Sequence, residues 1–120
     1  MKMLICDDDQ MSLRALEFQF KREGYEIIKA VDGRVASKIL SENEDIDVMI
    51  TDVFMPHVSG LELITYARRT LQRLFPIIVV SRANIDDNIN FALDLGADAY
   101  MIKPFNLEEL SRIVNNLLNE

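Results

Sequence analysis

The sequence predicts a single doubly wound α/β domain, in which five parallel strands carry helices on both faces. Short apolar runs rich in branched residues alternate five times with longer stretches whose apolar residues lie three and four positions apart. Two of the runs, Val48–Ile50 and Ile77–Val80, are apolar without alternation, as strands buried on both faces are. The length of 120 residues suits one domain, so the prediction covers residues 1–120.

The strands are predicted from the short apolar runs, each of which ends at polar or turn-forming residues. Because a helical stretch follows every run, successive strands are joined by βα units, and such connections make a parallel sheet. The five predicted strands are Met3–Cys6, Ile27–Val31, Val48–Thr51, Ile77–Ser81 and Ala99–Ile102.

The helices are predicted from the three- and four-residue spacing of apolar positions and from residues that start or stop a helix. In the first helix, Leu13, Leu16 and Phe20 share one face, and Gly24 follows as the stop. Asn106 is the predicted N-cap of the last helix. The five predicted helices are Met11–Glu23, Arg34–Ser41, Gly60–Leu74, Asp86–Leu95 and Leu107–Leu118.

Composition excludes several classes of function. The net charge of −7 and the pI of about 4.7 argue against binding of nucleic acid or of an anionic membrane by this domain. Cys6 is the sole cysteine, so neither an internal disulfide nor a cysteine-rich zinc site can form, and a reducing cytoplasm is the expected location. No apolar run approaches the roughly 18 residues that span a bilayer, and the N-terminus does not match a signal peptide.

Polar residues follow the carboxyl ends of four predicted strands, namely Asp7-Asp8-Asp9, Asp52, Ser81 and Lys103. In open parallel sheets the ligand crevice lies beyond those ends, and a strand order of 2-1-3-4-5 brings the aspartates of the first and third strands together. Clustered carboxylates repel one another, and a hard divalent cation such as Mg²⁺ suits them. The metal ion and Lys103 would together balance the charge of three carboxylates. Such a near-neutral site could accept a phosphoryl group. Singly, each residue also fits a cap or a turn, and Asp9 is a predicted N-cap.

Together these residues resemble the receiver domain of two-component response regulators, over essentially the whole chain. The resemblance implies a flavodoxin-like fold with the strand order 2-1-3-4-5. It is carried by the segments Cys6-Asp7-Asp8-Asp9, Thr51-Asp52-Val53-Phe54-Met55-Pro56, Ser59-Gly60, Val80-Ser81, Gly96-Ala97-Asp98-Ala99-Tyr100 and Lys103-Pro104-Phe105.

The resemblance implies a role for each residue of the site. Asp52 would be the phosphoacceptor, attacking the phosphohistidine of a sensor histidine kinase or histidine phosphotransfer protein. Asp8 would bind Mg²⁺ directly and Asp7 through water, while Asp52 and the backbone carbonyl of Phe54 would complete the ligands. Lys103 would pair with the phosphoryl oxygens. The domain would be a phosphoacceptor that assists its own phosphorylation and slow dephosphorylation rather than an enzyme.

The resemblance also implies a conformational switch and an output surface. Ser81 would move to hydrogen-bond a phosphoryl oxygen, and Tyr100 would change rotamer as the space behind Ser81 opens. The Lys103–Pro104 peptide bond would be cis. The output surface would comprise Ile85–Leu95, Tyr100 and the last helix, with a possible homodimer through the face of the fourth and fifth helices.

Three positions depart from the commonest pattern of the family. Phe54 is apolar where many members carry a polar residue that can orient the hydrolytic water, and Ala83 likewise offers no polar group. Dephosphorylation is therefore expected to be slow. Arg82, directly after Ser81, occupies a place where the family favours a small residue, and it is expected to screen the site or to bind phosphoryl oxygens.

Other interpretations stand beside this one. A phosphorylation-independent interaction module of the same fold is the alternative function. An aspartyl-phosphate hydrolase needs a second carboxylate where Phe54 stands, and the four glycines are too widely spaced for a nucleotide-binding loop.

The domain is expected to be either a stand-alone receiver or the receiver of a longer regulator. Met11, Ala15 and Phe18 form a second apolar stripe, either core or a docking patch for the kinase, and His57 is a predicted surface loop residue.

Overall fold

The computed structural model describes residues 1–82 and 86–119, and the side chains of all of these except residues 86–88. Five parallel strands form one sheet in the order β2-β1-β3-β4-β5, which confirms the predicted topology. The strands are β1 (Lys2–Cys6), β2 (Glu26–Ala30), β3 (Val48–Thr51), β4 (Ile77–Ser81) and β5 (Ala99–Ile102). The helices are α1 (Gln10–Arg22), α2 (Gly33–Glu42), α3 (Gly60–Thr65), α4 (Asp86–Leu95) and α5 (Leu107–Leu118).

A hydrophobic core lies on each face of the sheet, because alternate residues of each strand point to opposite sides. Helices α1 and α5 cover one core, in which Leu16 and Val114 pack with Ile5. Helices α2, α3 and α4 cover the other, in which Leu40 and Leu63 are fully buried. Among the described residues, no helix has the length and apolar character that crossing a membrane requires.

Helix α1 confirms the prediction for its cap and settles which of its apolar stripes is core. The Asp9 carboxylate accepts a hydrogen bond from the backbone N–H of Met11 and so caps the helix. The stripe of Leu13, Leu16 and Phe20 is buried. The second stripe is exposed instead, with Met11 82% and Phe18 65% accessible, so it is not core.

The third helix ends earlier than the predicted Gly60–Leu74, and this prediction was wrong. After α3 the chain makes one π-helical turn at Tyr66–Thr70. It then leaves the helix at Gln72, whose φ of 55° is left-handed. The Arg68 side chain donates hydrogen bonds to the backbone carbonyls of Arg73 and Phe75 at 2.9 and 2.7 Å, so it holds the segment after the helix against the π-helical turn.

The carboxyl ends of β1, β3, β4 and β5 lie at the same end of the parallel sheet, and the ladder hydrogen bonds continue one residue beyond two of these strands. The backbone N–H of Asp52 donates to the carbonyl of Cys6 at 2.9 Å. The N–H of Lys103 donates to the carbonyl of Ser81, also at 2.9 Å. The residues that follow β1, β3 and β5 are therefore held at one edge of the sheet.

Candidate functional site

Three carboxylates meet at that edge. Asp7, Asp8 and Asp52 each place an oxygen within 4.8 Å of the others. Asp7 and Asp52 are only 2% and 8% exposed, whereas Asp8 is exposed. Asp7 is held in place by the backbone N–H of Asp9, which donates to its Oδ1 at 2.9 Å. The predicted convergence of the aspartates after β1 and β3 is thus present.

Lys103 bridges the two buried carboxylates. Its Nζ donates to Oδ2 of Asp7 at 2.8 Å and to Oδ2 of Asp52 at 3.0 Å, and its side chain is 9% exposed. The Lys103–Pro104 peptide bond that follows is cis, as the resemblance implies. One ammonium group therefore compensates two buried negative charges, which leaves the site acidic.

Burial and charge shift the proton affinities of this pair. Burial raises the pKa of Asp7, although its hydrogen bonds with Lys103 and with the N–H of Asp9 act in the opposite direction. Burial by itself lowers the pKa of Lys103, but the carboxylates of Asp7 and Asp52 outweigh it and leave the pKa raised. The lysine consequently stays charged, while ionised Asp7 remains costly without a further cation.

The donor set fits a hard divalent cation. Mg²⁺ prefers carboxylate and carbonyl oxygens and usually keeps several waters. Asp7, Asp8 and Asp52 supply such oxygens at close range, and the exposed Asp8 leaves the cluster open to solvent. The backbone N–H of Phe54 donates to Oδ1 of Asp52 at 3.2 Å, so the chain at Phe54 lies against the same carboxylate. These residues could hold Mg²⁺.

A cavity of about 350 Å³ opens directly onto Asp52. Besides Asp8, Asp52 and Lys103, it is lined by Phe54, which is 60% exposed, and by Arg82, whose side chain is 80% exposed. Asp9 lines it as well, and an arginine nitrogen of Arg82 lies 3.9 Å from the Asp9 carboxylate. The cavity leaves the Asp52 carboxylate accessible from solvent.

Ser81 and Tyr100 lie together on the neighbouring strands β4 and β5. Ser81 ends β4 and is fully buried. Tyr100 is half-buried on β5 and packs against the core that α2, α3 and α4 cover. Burial raises the pKa of Tyr100, and a hydrogen bond with Ser81 partly offsets it. The two predicted switch residues are therefore in direct contact.

Gly60 has a structural role at the site that its place in a motif does not reveal. A Cβ at Gly60 would overlap the backbone oxygen of Asp52, and the Gly60 N–H donates to the carbonyl of Val53 at 2.8 Å. The start of α3 therefore packs directly against the backbone of Asp52 and Val53, and only glycine permits this approach. Its position eight residues after Asp52 was the available signal.

Among the other residues singled out from the sequence, the structure confirms the prediction for some, and others lie outside the described residues. His57 is exposed in the loop after β3, as predicted. Ala83, one of the two positions on which slow dephosphorylation was argued, lies outside the described residues, as does Ile85 at the start of the predicted output surface.

Replacing Asp7 with asparagine tests the pKa shift. The native pKa of Asp7 is raised, so the stability that its bound proton contributes is present below the ordinary value of 3.8 and is lost as pH rises through the raised value. Asp7→Asn has no carboxyl group at this position to ionise, so its stability does not fall in this way as pH rises. Without Mg²⁺, urea denaturation should show the variant gaining stability over the wild type from about pH 4 to pH 7. A difference that does not change with pH would contradict the shift.

Comparison with known proteins agrees with this geometry. Residues 3–115 match the family model described as the response regulator receiver domain. The response regulator SaeR of Staphylococcus aureus (strain USA300) is 37% identical over 117 residues, which cover 97% of this chain and 50% of that protein. The chain thus spans about half the length of the curated relatives it matches.

Solved structures share the fold across nearly the whole chain. A two-component response regulator from Clostridium difficile superposes with a TM-score of 0.93 at 28% identity, covering 99% of this chain and 96% of that one. The receiver domain of the Francisella response regulator 1452 gives a TM-score of 0.90 at 30% identity, covering 98% and 96%. The strand order, the acidic edge and these matches agree, and the chain belongs to the family of response regulator receiver domains.

Proposed function

We propose that Asp52 accepts a phosphoryl group from a phosphohistidine of a sensor histidine kinase or a histidine phosphotransfer protein. The observation that carries this proposal is the placement of Asp52, a nearly buried carboxylate bound by Lys103 and open to a cavity. A carboxylate oxygen attacks phosphorus and forms the new P–O bond. The P–N bond to the imidazole breaks, and its electron pair returns to the leaving nitrogen.

The charges around Asp52 support this transfer, because phosphoryl transfer depends chiefly on positioning and on neutralising the phosphoryl oxygens. Asp7, Asp8, Asp52 and the backbone carbonyl of Phe54 would hold Mg²⁺, which when bound supplies the positive charge that offsets the transferred group. Lys103 starts within hydrogen-bond distance of Asp52 and needs only to turn towards a phosphoryl oxygen.

Phosphorylation is proposed to act through Ser81 and Tyr100. Ser81 would hydrogen-bond a phosphoryl oxygen, which weakens its present interaction with Tyr100, and the tyrosine would take another rotamer. The surface proposed to transmit this change is the face of α4, β5 and α5. Formation of a homodimer through the face of α4 and α5 also stays a prediction.

Docking of the phosphohistidine donor is proposed for the exposed stripe of α1. Met11 and Ala15 line a groove of about 560 Å³ that continues from the mouth of the acceptor site to Pro104, Phe105 and Leu107 on the opposite side. An exposed apolar surface rimmed by charged residues is typical of an interaction site. Its position lets a bound partner present a phosphohistidine to Asp52.

The aspartyl phosphate is expected to hydrolyse slowly. A water must attack phosphorus in line, and Phe54 beside the cavity offers only an apolar ring to orient it. Phe54→Asn supplies a polar side chain there that can orient the water. The lifetime of the aspartyl phosphate should therefore shorten by roughly tenfold, which is part of the rate gain that a positioned polar side chain typically gives. Decay of the phosphorylated mass measures this, and a wild-type lifetime of seconds would contradict the expectation.

The proposed function is tested by incubating the protein with acetyl phosphate and Mg²⁺ and recording its intact mass. The wild type should gain one phosphoryl group, and Asp52→Asn should gain none. A phosphorylated histidine donor repeats the test in case Arg82 excludes the small molecule. If neither donor modifies the wild type, the alternative of a phosphorylation-independent interaction module is favoured.

A further inference from the structure

Arg82 lies at the mouth of the acceptor site, and its guanidinium group takes part in a weak ion pair. It directly follows β4, and its side chain is 80% exposed. Among the described residues, its recorded ion pair is a single contact of 3.9 Å to the Asp9 carboxylate. An exposed pair at this distance contributes little free energy, so Arg82 can change partner at small cost.

Arg82 and Lys103 approach the acceptor from neighbouring strands. The N–H of Lys103 donates to the carbonyl of Ser81 at 2.9 Å, which fixes the backbone next to Arg82 against that next to the lysine. Both side chains line the cavity that opens onto Asp52. Lys103 already uses two of its three N–H donors on carboxylates, whereas Arg82 has five donors and, among the described residues, a single ion pair at 3.9 Å, so Arg82 has the larger bonding capacity to spare.

We propose that Arg82 exchanges its partner on phosphorylation, leaving Asp9 and binding the phosphoryl group on Asp52 as an additional ligand. This inference rests on the proposed function of Asp52 as the acceptor. It assigns to Arg82 the role of a phosphoryl-binding residue, which distinguishes it from a side chain that merely covers the opening.

Charge and geometry both favour the exchange. The new group carries more negative charge than the carboxylate it is built on, and the cavity already holds Asp8 and Asp9. A guanidinium matches two phosphoryl oxygens with a pair of parallel hydrogen bonds, which the long contact to Asp9 does not provide.

Asp9 loses little when Arg82 departs. Its carboxylate continues to accept from the Met11 N–H at 3.0 Å and from the Ser12 hydroxyl at 3.1 Å, so the cap of α1 is retained. The two states of Arg82 therefore differ mainly in its own partner, and the local backbone need not rearrange.

The inference is tested with beryllium fluoride, which forms a tetrahedral anionic complex with a carboxylate and thereby imitates an aspartyl phosphate without being hydrolysed. Its affinity in the presence of Mg²⁺ is measured by fluorine NMR titration. Arg82→Ala should bind about tenfold more weakly than the wild type, as expected for loss of a hydrogen bond to a charged group. Arg82→Lys should fall between the two, because it keeps the charge and loses the paired geometry.

Two further variants separate a direct contact from a change in overall charge. Arg69→Ala removes the same charge from an exposed position on the π-helical turn and should leave the affinity unchanged. Asp9→Asn keeps a good N-cap and frees Arg82 from a weak contact, so it should tighten binding slightly. That gain should be smaller in the Arg82→Ala background, since the exchange couples the two residues.

The outcomes distinguish this inference from the proposed function. If Arg82→Ala binds beryllium fluoride as tightly as the wild type, or more tightly, Arg82 only screens the site and the inference is wrong, while Asp52 remains the acceptor. If the wild type forms no complex, the inference and the proposed acceptor both fail. Weaker binding by Arg82→Ala, together with continued phosphorylation of Asp52, supports both.

Discussion

Lys103→Met is expected to destabilise the Mg²⁺-free protein by about 3 kcal/mol, because it removes one partner from a buried ionic cluster. The methionine fills similar space but leaves Asp7 and Asp52, which are 2% and 8% exposed, without their shared cation. Urea denaturation at neutral pH measures the change. The same variant should also transfer the phosphoryl group much more slowly, since the cation proposed to pair with its oxygens is gone.

Lys2→Met is the matched control for that substitution. Lys2 also contacts two acidic residues, Asp45 at 2.6 Å and Glu26 at 3.6 Å, but those partners are 66% and 71% exposed. Solvent screens these pairs, so the loss of stability should be much smaller. Equal losses of stability for the two variants would show that the burial of Asp7 and Asp52 does not set the strength of their ion pairs with Lys103.

Mg²⁺ is expected to stabilise the protein by about 2.7 kcal/mol when its concentration is a hundred times its dissociation constant. The cation relieves the repulsion among Asp7, Asp8 and Asp52, whose oxygens lie within 4.8 Å of one another. Asp8→Asn should lose most of this stabilisation, because the exposed carboxylate proposed to bind the ion directly is no longer charged. Thermal unfolding over a Mg²⁺ titration measures both effects.

Asp94→Asn provides the comparison for Asp8→Asn. It removes one charge from an exposed aspartate on α4, away from the carboxylate cluster. Its response to Mg²⁺ should match the wild type. If both variants lose the response equally, the effect is one of net charge, and the proposed magnesium site is wrong.

The fold and the acidic edge were predictable because both depend on patterns that are local in sequence. Non-alternating apolar runs such as Val48–Ile50 require burial on both faces of a sheet, and the aspartates and the lysine directly follow such runs. Once the strand order is 2-1-3-4-5, the ladder bonds of Asp52 and Lys103 place these residues at one edge.

The end of α3 was not predictable, because it depends on contacts between distant parts of the chain. The apolar spacing of the sequence continues to Leu74, yet that residue is 92% exposed. Arg68 holds the segment after the helix by binding its carbonyls, and it also binds Asp98 at 2.9 Å, thirty residues away. The contact between Arg82 and Asp9 belongs to the same class, since neither residue predicts the other from sequence.

The phosphoryl group is expected on Asp52 and not on Asp7 or Asp8. Borohydride reduces an acyl phosphate to an alcohol and leaves free carboxylates unchanged, so reduction after phosphorylation converts the acceptor aspartate to homoserine. Peptide mass spectrometry then locates the change. Homoserine at position 52 alone is the predicted result, whereas reduction at Asp7 or Asp8, or at no aspartate of a protein that has gained a phosphoryl group, would contradict the account.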